Sequence, residues 1–264
     1  MVLNRQIFSA VALSLAAAGA LADTPPAPAA APPPPPPVGW HGKGEAGAVV
    51  ASGNTKGDTV NFKLGLLEID GPWTHALDMA YLQAKNGTSG TNSVETANRY
   101  TAGWQSNYAL SARSFWFGGL RYDHDKYSGF DYQATASTGL GYKFIDTDAI
   151  KLSGQVGAGY RRSKTEVPLG TTPETFTSAT DGNAVFVAGF DYANVLTAST
   201  KVVDKFHAEV GSADTMLTNF LGIEVKMNTA LALSVGLDVR DNTKPPAGKQ
   251  KVDTVTTVNL VYAF

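Results

Sequence analysis

The alternation of apolar and polar side chains is clearest in Tyr132-Gln-Ala-Thr-Ala-Ser-Thr-Gly-Leu-Gly-Tyr-Lys-Phe144. Every second residue from Tyr132 to Phe144 is apolar or carries a methyl group, and the residues between them are polar or glycine. Side chains alternate between the two faces of a β-strand, whereas a helix would scatter these residues around its axis. The stretch is therefore predicted to be a strand with one oily face and one polar face.

Similar segments fill the rest of the chain from Trp40 onward. They lie near residues 42–52, 58–68, 74–86, 95–108, 114–126, 131–145, 150–164, 182–194, 199–211, 215–227, 231–241 and 251–264. Several exceed the mean soluble strand of about 5–6 residues and match the roughly 9–11 residues that cross a bilayer at a tilt. The sequence predicts an all-β fold, a transmembrane antiparallel β-barrel with an up-and-down meander of about twelve strands.

The connections between these segments also alternate in length. The short set comprises Ile69–Trp73, Leu110–Arg113, Asp146–Ala149, Val195–Ala198 and Asn228–Ala230. The more variable, mostly polar set includes Gly53–Gly57, Asn86–Val94, Thr165–Asp181 and Asn242–Gln250. Short periplasmic turns opposite longer external loops are typical of transmembrane barrels. We expect both chain ends on the periplasmic side and Thr165–Asp181 as the largest external loop.

Aromatic residues of the oily parity lie near the predicted strand ends. Those expected at the periplasmic interface are Trp73, Tyr108, Trp116, Phe144, Tyr192 and Tyr262, and those expected at the outer interface are Tyr81, Tyr122, Tyr132 and Tyr160. Two aromatic girdles anchor transmembrane barrels at the headgroups. Aromatic residues are common in any sheet, so their positions support a barrel only in combination with the alternating lengths of the loops.

The composition excludes several other classes of protein. Charged residues make up 17% of the chain, below the roughly 25% of a soluble domain, and the net charge of -2 does not suit a nucleic-acid binder. The absence of cysteine excludes disulfides and thiolate metal sites. We predict no cofactor and no metal site.

The first 39 residues are predicted to stand apart from the barrel of residues 40–264. Residues 1–22 resemble a signal peptide, with Arg5, the apolar run Ile7–Ala18 and a small-x-small site at Ala20-Leu-Ala22; the alternative is an uncleaved anchor. Residues 23–39 form a Pro/Ala-rich periplasmic spacer, expected as polyproline II, or alternatively a binding arm. The exported start and the strand pattern together predict the cell outer membrane as the location.

The chain ends Val258-Asn-Leu-Val-Tyr-Ala-Phe264. Val258, Leu260, Tyr262 and Phe264 share one face, and the final residue is aromatic. These four residues resemble the signal that the barrel-assembly machinery recognises, and such a strand edge can pair with an insertase and then with the first strand. Outer-membrane lipid and this machinery are the expected partners.

A family resemblance lies at the other end of the predicted barrel. The stretch Glu45-Ala-Gly-Ala-Val-Val-Ala-Ser-Gly-Asn-Thr-Lys-Gly-Asp-Thr59 resembles the opening hairpin of the YdiY-like salt-induced outer-membrane protein family, a domain of unknown function. The resemblance implies an outer-membrane barrel and supplies no catalytic residues. The long Pro tract lies outside the pattern of that family.

Catalytic motifs are absent from the sequence. There is no HExxH, no CxxC and no nucleophile elbow. His207, near Lys205 and Glu209, has inward parity, and His124, near Asp123, Asp125 and Ser128, has outward parity near a rim. We interpret both histidines as ordinary polar residues, name no catalytic residue and predict that the protein is not an enzyme. A lipid hydrolase that uses His124 or His207 is the third alternative for function.

Charged residues of both signs collect on the inward parity. The candidates that face the lumen are Lys63, Asp78, Arg99, Arg121, Lys143, Arg161, Glu209, Glu224, Asp238 and Arg240. They either line a narrow wet pore or pair across the lumen and plug it, because twelve strands lie between the filled barrels of about eight and the open channels of 16–18. Lys43, Lys143, Lys151 and Lys226 near the periplasmic rim predict a weak anion preference. The leading hypothesis is a small pore or passive transport barrel for small solutes or ions, and the alternative is a non-transporting barrel for envelope integrity under osmotic stress.

Overall fold

The computed structural model describes residues 39–51, 55–88, 94–168, 176–246 and 248–264. The predicted signal peptide and all of the predicted spacer except Gly39 lie outside the described residues. No helix in the described part of the chain is long and apolar enough to cross a membrane. Twelve strands dominate this part, because the sequence repeats the two-residue period from one segment to the next.

The strands run in chain order around a closed barrel. Their bounds are β1 Gly39–Ala51, β2 Thr55–Asp70, β3 Trp73–Thr88, β4 Val94–Ala109, β5 Ser114–Asp125, β6 Phe130–Asp146, β7 Ile150–Pro168, β8 Phe176–Val195, β9 Thr200–Gly211, β10 Thr215–Lys226, β11 Leu231–Asn242 and β12 Val252–Ala263. Each strand pairs antiparallel with its chain neighbour, and β1 pairs with β12. The predicted transmembrane antiparallel meander barrel is confirmed.

The predicted loop Thr165–Asp181 is the largest correction to the strand bounds. β7 continues to Pro168 and β8 begins at Phe176, and the two strands pair throughout. The prediction ended both strands where their oily alternation ends. Backbone pairing does not require an oily face, and threonines such as Thr177 and Thr180 suit a strand, so the hairpin continues as a polar ribbon.

The two ends of the barrel differ, and we name them by their connections. The turn end carries Gly39, Ala263 and the connections of two to four residues after β2, β4, β6, β8 and β10. The loop end carries the connections after the odd-numbered strands β1 to β11. Gly71, in the two-residue turn between Asp70 and Trp73, has a φ of 55°, a conformation that favours glycine.

The seam between β1 and β12 is the shortest pairing in the barrel. It runs from Lys43 opposite Ala263 to Ala46 opposite Leu260. Gly42 and Phe264 extend it, because the Gly42 amide donates to the Phe264 carbonyl at 2.7 Å and the Phe264 amide donates to the Gly42 carbonyl at 2.9 Å. The Phe264 ring also lies against Gly42 on the outer face. The terminal residue therefore takes part in closing the barrel.

The outer face of the barrel is apolar and largely exposed. Side chains there that are at least one-third exposed include Phe62, Met79, Leu120, Leu140, Val156, Phe186, Ile223, Val235, Val258 and Leu260. A soluble monomer rarely exposes so large a contiguous apolar surface. A closed sheet with this surface outside and charges inside has the segregation of a transmembrane barrel.

Glycines on the inner face let side chains pack against the wall. Gly139 lies directly opposite Gly157, and the Phe117 ring covers Gly139 and is only 1% exposed. A Cβ atom on Gly157 would lie 2.2 Å from the Thr138 carbonyl oxygen. Backbone atoms therefore exclude a larger residue at this position.

We expect Gly157→Ala to destabilise the barrel by roughly 1–3 kcal/mol, the usual range for overpacking, because the new methyl group must displace the backbone of β6. The matched control is Gly103→Ala, which is also on the inner face but whose nearest neighbour would lie 4.0 Å from the new Cβ. Urea unfolding of refolded protein in detergent, followed by circular dichroism, measures both changes. Equal effects of the two substitutions would contradict this explanation.

Candidate functional site in the lumen

An ion pair connects opposite walls of the barrel. Arg240 Nη1 of β11 lies 3.1 Å from Asp123 Oδ1 of β5. In the ring of twelve strands, β11 and β5 are six positions apart, which is the greatest separation that the ring allows. The pair therefore spans the diameter of the lumen.

Three further side chains complete what we call the arginine belt: Arg99, Arg121, Asp123, Asp238 and Arg240. Arg121 donates two hydrogen bonds to Asp123, at 2.6 and 3.3 Å. Asp238 Oδ1 lies 3.5 Å from both Arg99 Nη2 and Arg240 Nε, too far for well-formed hydrogen bonds. Three arginines against two aspartates leave the belt with one excess positive charge.

A second group lies beside the belt, around the carboxylate of Glu209. Thr135 Oγ1 donates to Glu209 Oε2 at 2.9 Å, and His207 Nε2 lies 3.1 Å from Glu209 Oε1. Arg161 reaches Glu209 at 3.5 Å and also pairs with Asp214 of the β9–β10 loop. Only 1% of Arg161 is exposed, so this side chain fixes the loop to the inner wall.

Lysines and glutamates pair at the turn end of the lumen. Lys43 Nζ lies 2.8 Å from Glu45 and 3.0 Å from Glu224, and Lys201 Nζ lies 2.9 Å from Glu224. Asn259 donates to Glu45 at 3.0 Å. Because Lys43 and Glu224 stand on β1 and β10, this group bridges a section of the wall rather than the full diameter.

The belt separates small cavities within the lumen. A vestibule of about 40 Å³, open to solvent at the loop end, is lined by residues that include Asp123, Asp125, Asp253, Arg240 and Lys251. A second space of about 10 Å³ lies among Arg121, Thr135, Arg161, His207 and Glu209. The vestibule is lined by four aspartates and two basic residues, whereas the turn-end rim carries Lys43, Lys143 and Lys201.

The structure places the ten predicted lumen residues as follows. Arg99, Arg121, Asp238 and Arg240 meet in the belt, Arg161 meets Glu209, and Glu224 meets two lysines. Lys63 lies 4.1 Å from the centre of the Phe220 ring, Asp78 is exposed between Gly65 and Gly103, and Lys143 pairs with Asp146 at the rim. The four residues of the predicted assembly signal share the exposed outer face.

Several inner residues were not among the predicted site residues. Phe117 and Phe220 are apolar on a face that was expected to be polar, and Asp214 lies in a loop. The parity of Phe220 with Glu224 could have identified it as an inner residue.

On the outer wall, Asp204 is 3% exposed and accepts a hydrogen bond from Asn219 at 2.6 Å.

The two histidines considered for catalysis have different surroundings. His207 bonds to Glu209 in the lumen. His124 stacks on Tyr100 at 4.5 Å, and its Nδ1 contacts the Asp131 carbonyl oxygen. Asp125, expected near His124, instead accepts the Tyr127 amide hydrogen bond in the turn. In the residues that the structure describes, no three acidic or histidine side chains form a metal site.

Beyond the outer aromatic residues, Glu95 of β4 ties β3 to the β5–β6 connection at the loop end. It accepts hydrogen bonds from Gln83 at 2.8 Å, Lys126 at 3.1 Å, Tyr127 at 3.1 Å and Asn98 at 3.2 Å. These donors, with Gln83 the strongest, lower the pKa of Glu95 to about 2. The ionised carboxylate keeps these hydrogen bonds at pH values above the ordinary glutamate pKa. They weaken as the pH falls through the lowered pKa of Glu95.

The chain matches known proteins over most of its length. The family described as "Protein of unknown function, DUF481" matches residues 44–264. The uncharacterized protein YdiY of Escherichia coli (strain K12) is 24% identical over 227 residues, covering 85% of this chain and 83% of YdiY. The resemblance drawn from the first hairpin is thereby confirmed.

Solved barrels also resemble the fold at low identity. The NanC porin is 9% identical with a TM-score of 0.46, covering 84% of this chain and 98% of NanC. The translocator domain of the autotransporter NalP from Neisseria meningitidis is 13% identical with a TM-score of 0.43, and the match covers 84% of this chain and 86% of that domain. The β-domain of the Bordetella autotransporter BrkA is 11% identical with a TM-score of 0.42, and the match covers 86% of this chain and 98% of that domain.

The family match begins within β1 and ends at Phe264, so it includes every strand of the barrel, and the chain belongs to the DUF481 family of proteins of unknown function.

Proposed function

We propose that this protein is an outer-membrane barrel whose lumen is a narrow passage for small ions, constricted by the arginine belt. The observation that carries the proposal is the pair of Arg240 with Asp123 across the full diameter. Space remains on both sides of the belt, in the vestibule and beside exposed Asp78. The vestibule carries an excess of carboxylates, but the constriction itself has one excess arginine, which gives the passage a weak preference for anions.

The apolar outer surface and its aromatic residues support the outer-membrane location. Trp73 packs against Tyr108 and Trp116 at the turn end, with ring centres 4.9 and 6.3 Å apart. Tyr122 stacks between Tyr100 and Tyr132 toward the loop end, at 6.1 Å on each side. Such rings suit the two headgroup regions of a bilayer. In this orientation the turn end is periplasmic, and the barrel-assembly machinery inserts the chain.

A sealed barrel that serves envelope integrity under osmotic stress is the second candidate. The specific observation in its favour is that side chains meet inside the lumen at several levels, including Lys63 over Phe220 and Gln105 with Gln155 at 3.0 Å. Full side-chain filling is the usual state of barrels of about eight strands. Conductance separates the two candidates.

We expect wild-type protein in planar bilayers to give small, weakly anion-selective current steps. Arg240→Ala should raise the conductance severalfold and abolish the selectivity, because it opens the diameter and leaves two arginines against two aspartates. Each aspartate keeps an arginine partner, Arg121 for Asp123 and Arg99 for Asp238, so the barrel should still fold. Single-channel recording with reversal potentials in a salt gradient provides the measurement.

Arg162→Ala is the matched control, because Arg162 is the exposed neighbour of Arg161 on the outer face and should leave the conductance unchanged. Large wild-type steps that Arg240→Ala does not alter would refute the constriction. No current from either protein, with a heat-modifiable folded band on a gel, would favour the sealed barrel.

The terminal aromatic residue gives a separate prediction about assembly. Phe264→Ala keeps the backbone bonds of the seam but removes the ring, so we expect less folded protein in the outer-membrane fraction of cells, while refolding in detergent proceeds. Phe144→Ala, which removes a similarly exposed ring from the same end, is the control. Density-gradient fractionation and heat-modifiable gels measure both; equal losses would count against a terminal signal.

A further inference from the structure

A polar pair interrupts the outer wall near the turn end. His75 of β3 and Ser106 of β4 lie directly opposite each other, and His75 Nδ1 is 2.7 Å from Ser106 Oγ. Trp104 Nε1 donates to the same oxygen at 2.9 Å. Both residues have the parity of the exposed Trp73, Trp104 and Tyr108, so the pair faces outward and is independent of the lumen.

A carboxylate stands on the far side of this histidine. Glu68 of β2 is directly opposite His75 in the β2–β3 register, which places their Cβ atoms about 4.5–5.5 Å apart. His75 Nδ1 is engaged with Ser106, which leaves Nε2 as the ring nitrogen available to a second partner such as Glu68. Ser106, His75 and Glu68 thus stand opposite one another on three adjacent strands, with the serine–histidine hydrogen bond in place and Glu68 as the candidate third member.

Aromatic rings fix the depth and the orientation of the histidine. Trp73 stacks on His75 at 5.6 Å with planes only 9° apart, and Trp104 lies 5.7 Å from its ring. Trp73 is one pleat nearer the turn end than His75, and Trp104 is one pleat farther from that end than Ser106. In a bilayer, rings of such a girdle sit at the headgroups, which places the Ser106 hydroxyl at the level of the acyl esters just below them.

The neighbour of Ser106 on the next strand is Gly118. The six-membered ring of Trp116 covers that position, because three of its carbons would lie 3.0 to 3.8 Å from a Cβ atom there. An acyl chain next to Ser106 would therefore lie against the Trp116 ring.

From this arrangement we propose that the outer wall carries an acyl-ester hydrolase site for membrane glycerolipids, with Ser106 as the nucleophile and His75 as the general base. Ser106 Oγ attacks the ester carbonyl carbon while His75 Nδ1 takes the hydroxyl proton. The bond from that carbon to the glycerol oxygen breaks, and His75 returns the proton to this oxygen. Water then attacks the acyl-serine in the same way, releasing a fatty acid and restoring the Ser106 hydroxyl.

Two further residues support the reaction. The Trp104 N–H donates to Ser106 Oγ in this structure, and it must turn from that oxygen to the ester carbonyl oxygen to stabilise the oxyanion. Glu68 is a positioning residue, because a carboxylate at His75 Nε2 favours the tautomer that leaves Nδ1 free to accept a proton and stabilises the imidazolium that forms.

The test uses full-length protein folded in mixed micelles of detergent and phosphatidylethanolamine. We expect release of fatty acid, and covalent labelling of Ser106 by a fluorophosphonate reagent, located by mass spectrometry. Ser106→Ala should abolish both, and His75→Ala should lower turnover by roughly 10²–10⁴-fold, the usual contribution of a general base. Glu68→Gln should lower turnover less and shift the acidic limb of the pH profile toward lower pH, because no carboxylate then stabilises the protonated base; a merely structural role would not shift it.

Ser114→Ala is the matched control, because Ser114 lies on the same face and end but bonds to Ser111 rather than to a histidine; it should leave turnover and Ser106 labelling unchanged. Heat-modifiable gels verify that every variant is folded. Folded wild type that neither releases fatty acid above the Ser106→Ala level nor takes the label would overturn the proposal. Because the readout is chemical, this failure is distinct from the failure of the lumen to conduct.

Discussion

Backbone N–H and C=O groups in hydrocarbon have no water to bond, so each strand must find partners on both edges. The barrel meets this requirement in sequence order, and only the pairing of β1 with β12 joins residues far apart in the chain. That seam is short, and the last residue extends it through Gly42. Closure therefore depends on Phe264 together with β12, whose outward residues Val258, Leu260 and Tyr262 are apolar.

Closure also decides where charges can lie. A lysine or arginine at mid-bilayer on the outer face costs about 2–4 kcal/mol, so the alternation of each strand directs such residues inward. Inside a barrel they are close to one another, and an unpaired buried charge is destabilising. The arginine belt and the group around Glu209 follow from these two conditions. The lumen is narrow because the charges that the outer face excludes must find partners across it.

Much of the fold could be predicted from the sequence because the two-residue period is local. The alternation from Tyr132 to Phe144 defines β6 almost to its ends, and the parity of Arg240 identifies it as an inner residue. Its partner could not be predicted, because Asp123 is brought to it by the curvature of the whole sheet. Likewise, β7 and β8 continue beyond the oily alternation, where backbone pairing holds without an apolar face.

Polar groups on the outer wall require a different explanation from those in the lumen. Asp204 is covered by its neighbours and bonded to Asn219, so its position is compatible with a purely structural role. His75 and Ser106 are partly exposed among aromatic rings, and each would be replaceable by an apolar residue if the wall needed only lipid contact. Neither the closure of the sheet nor the pairing of charges requires a serine and a histidine there. Ser106 accepts the Trp104 N–H and His75 stacks on Trp73, contacts that a structural role also explains. The direct hydrogen bond between them, opposite Glu68, is the arrangement that ester hydrolysis uses.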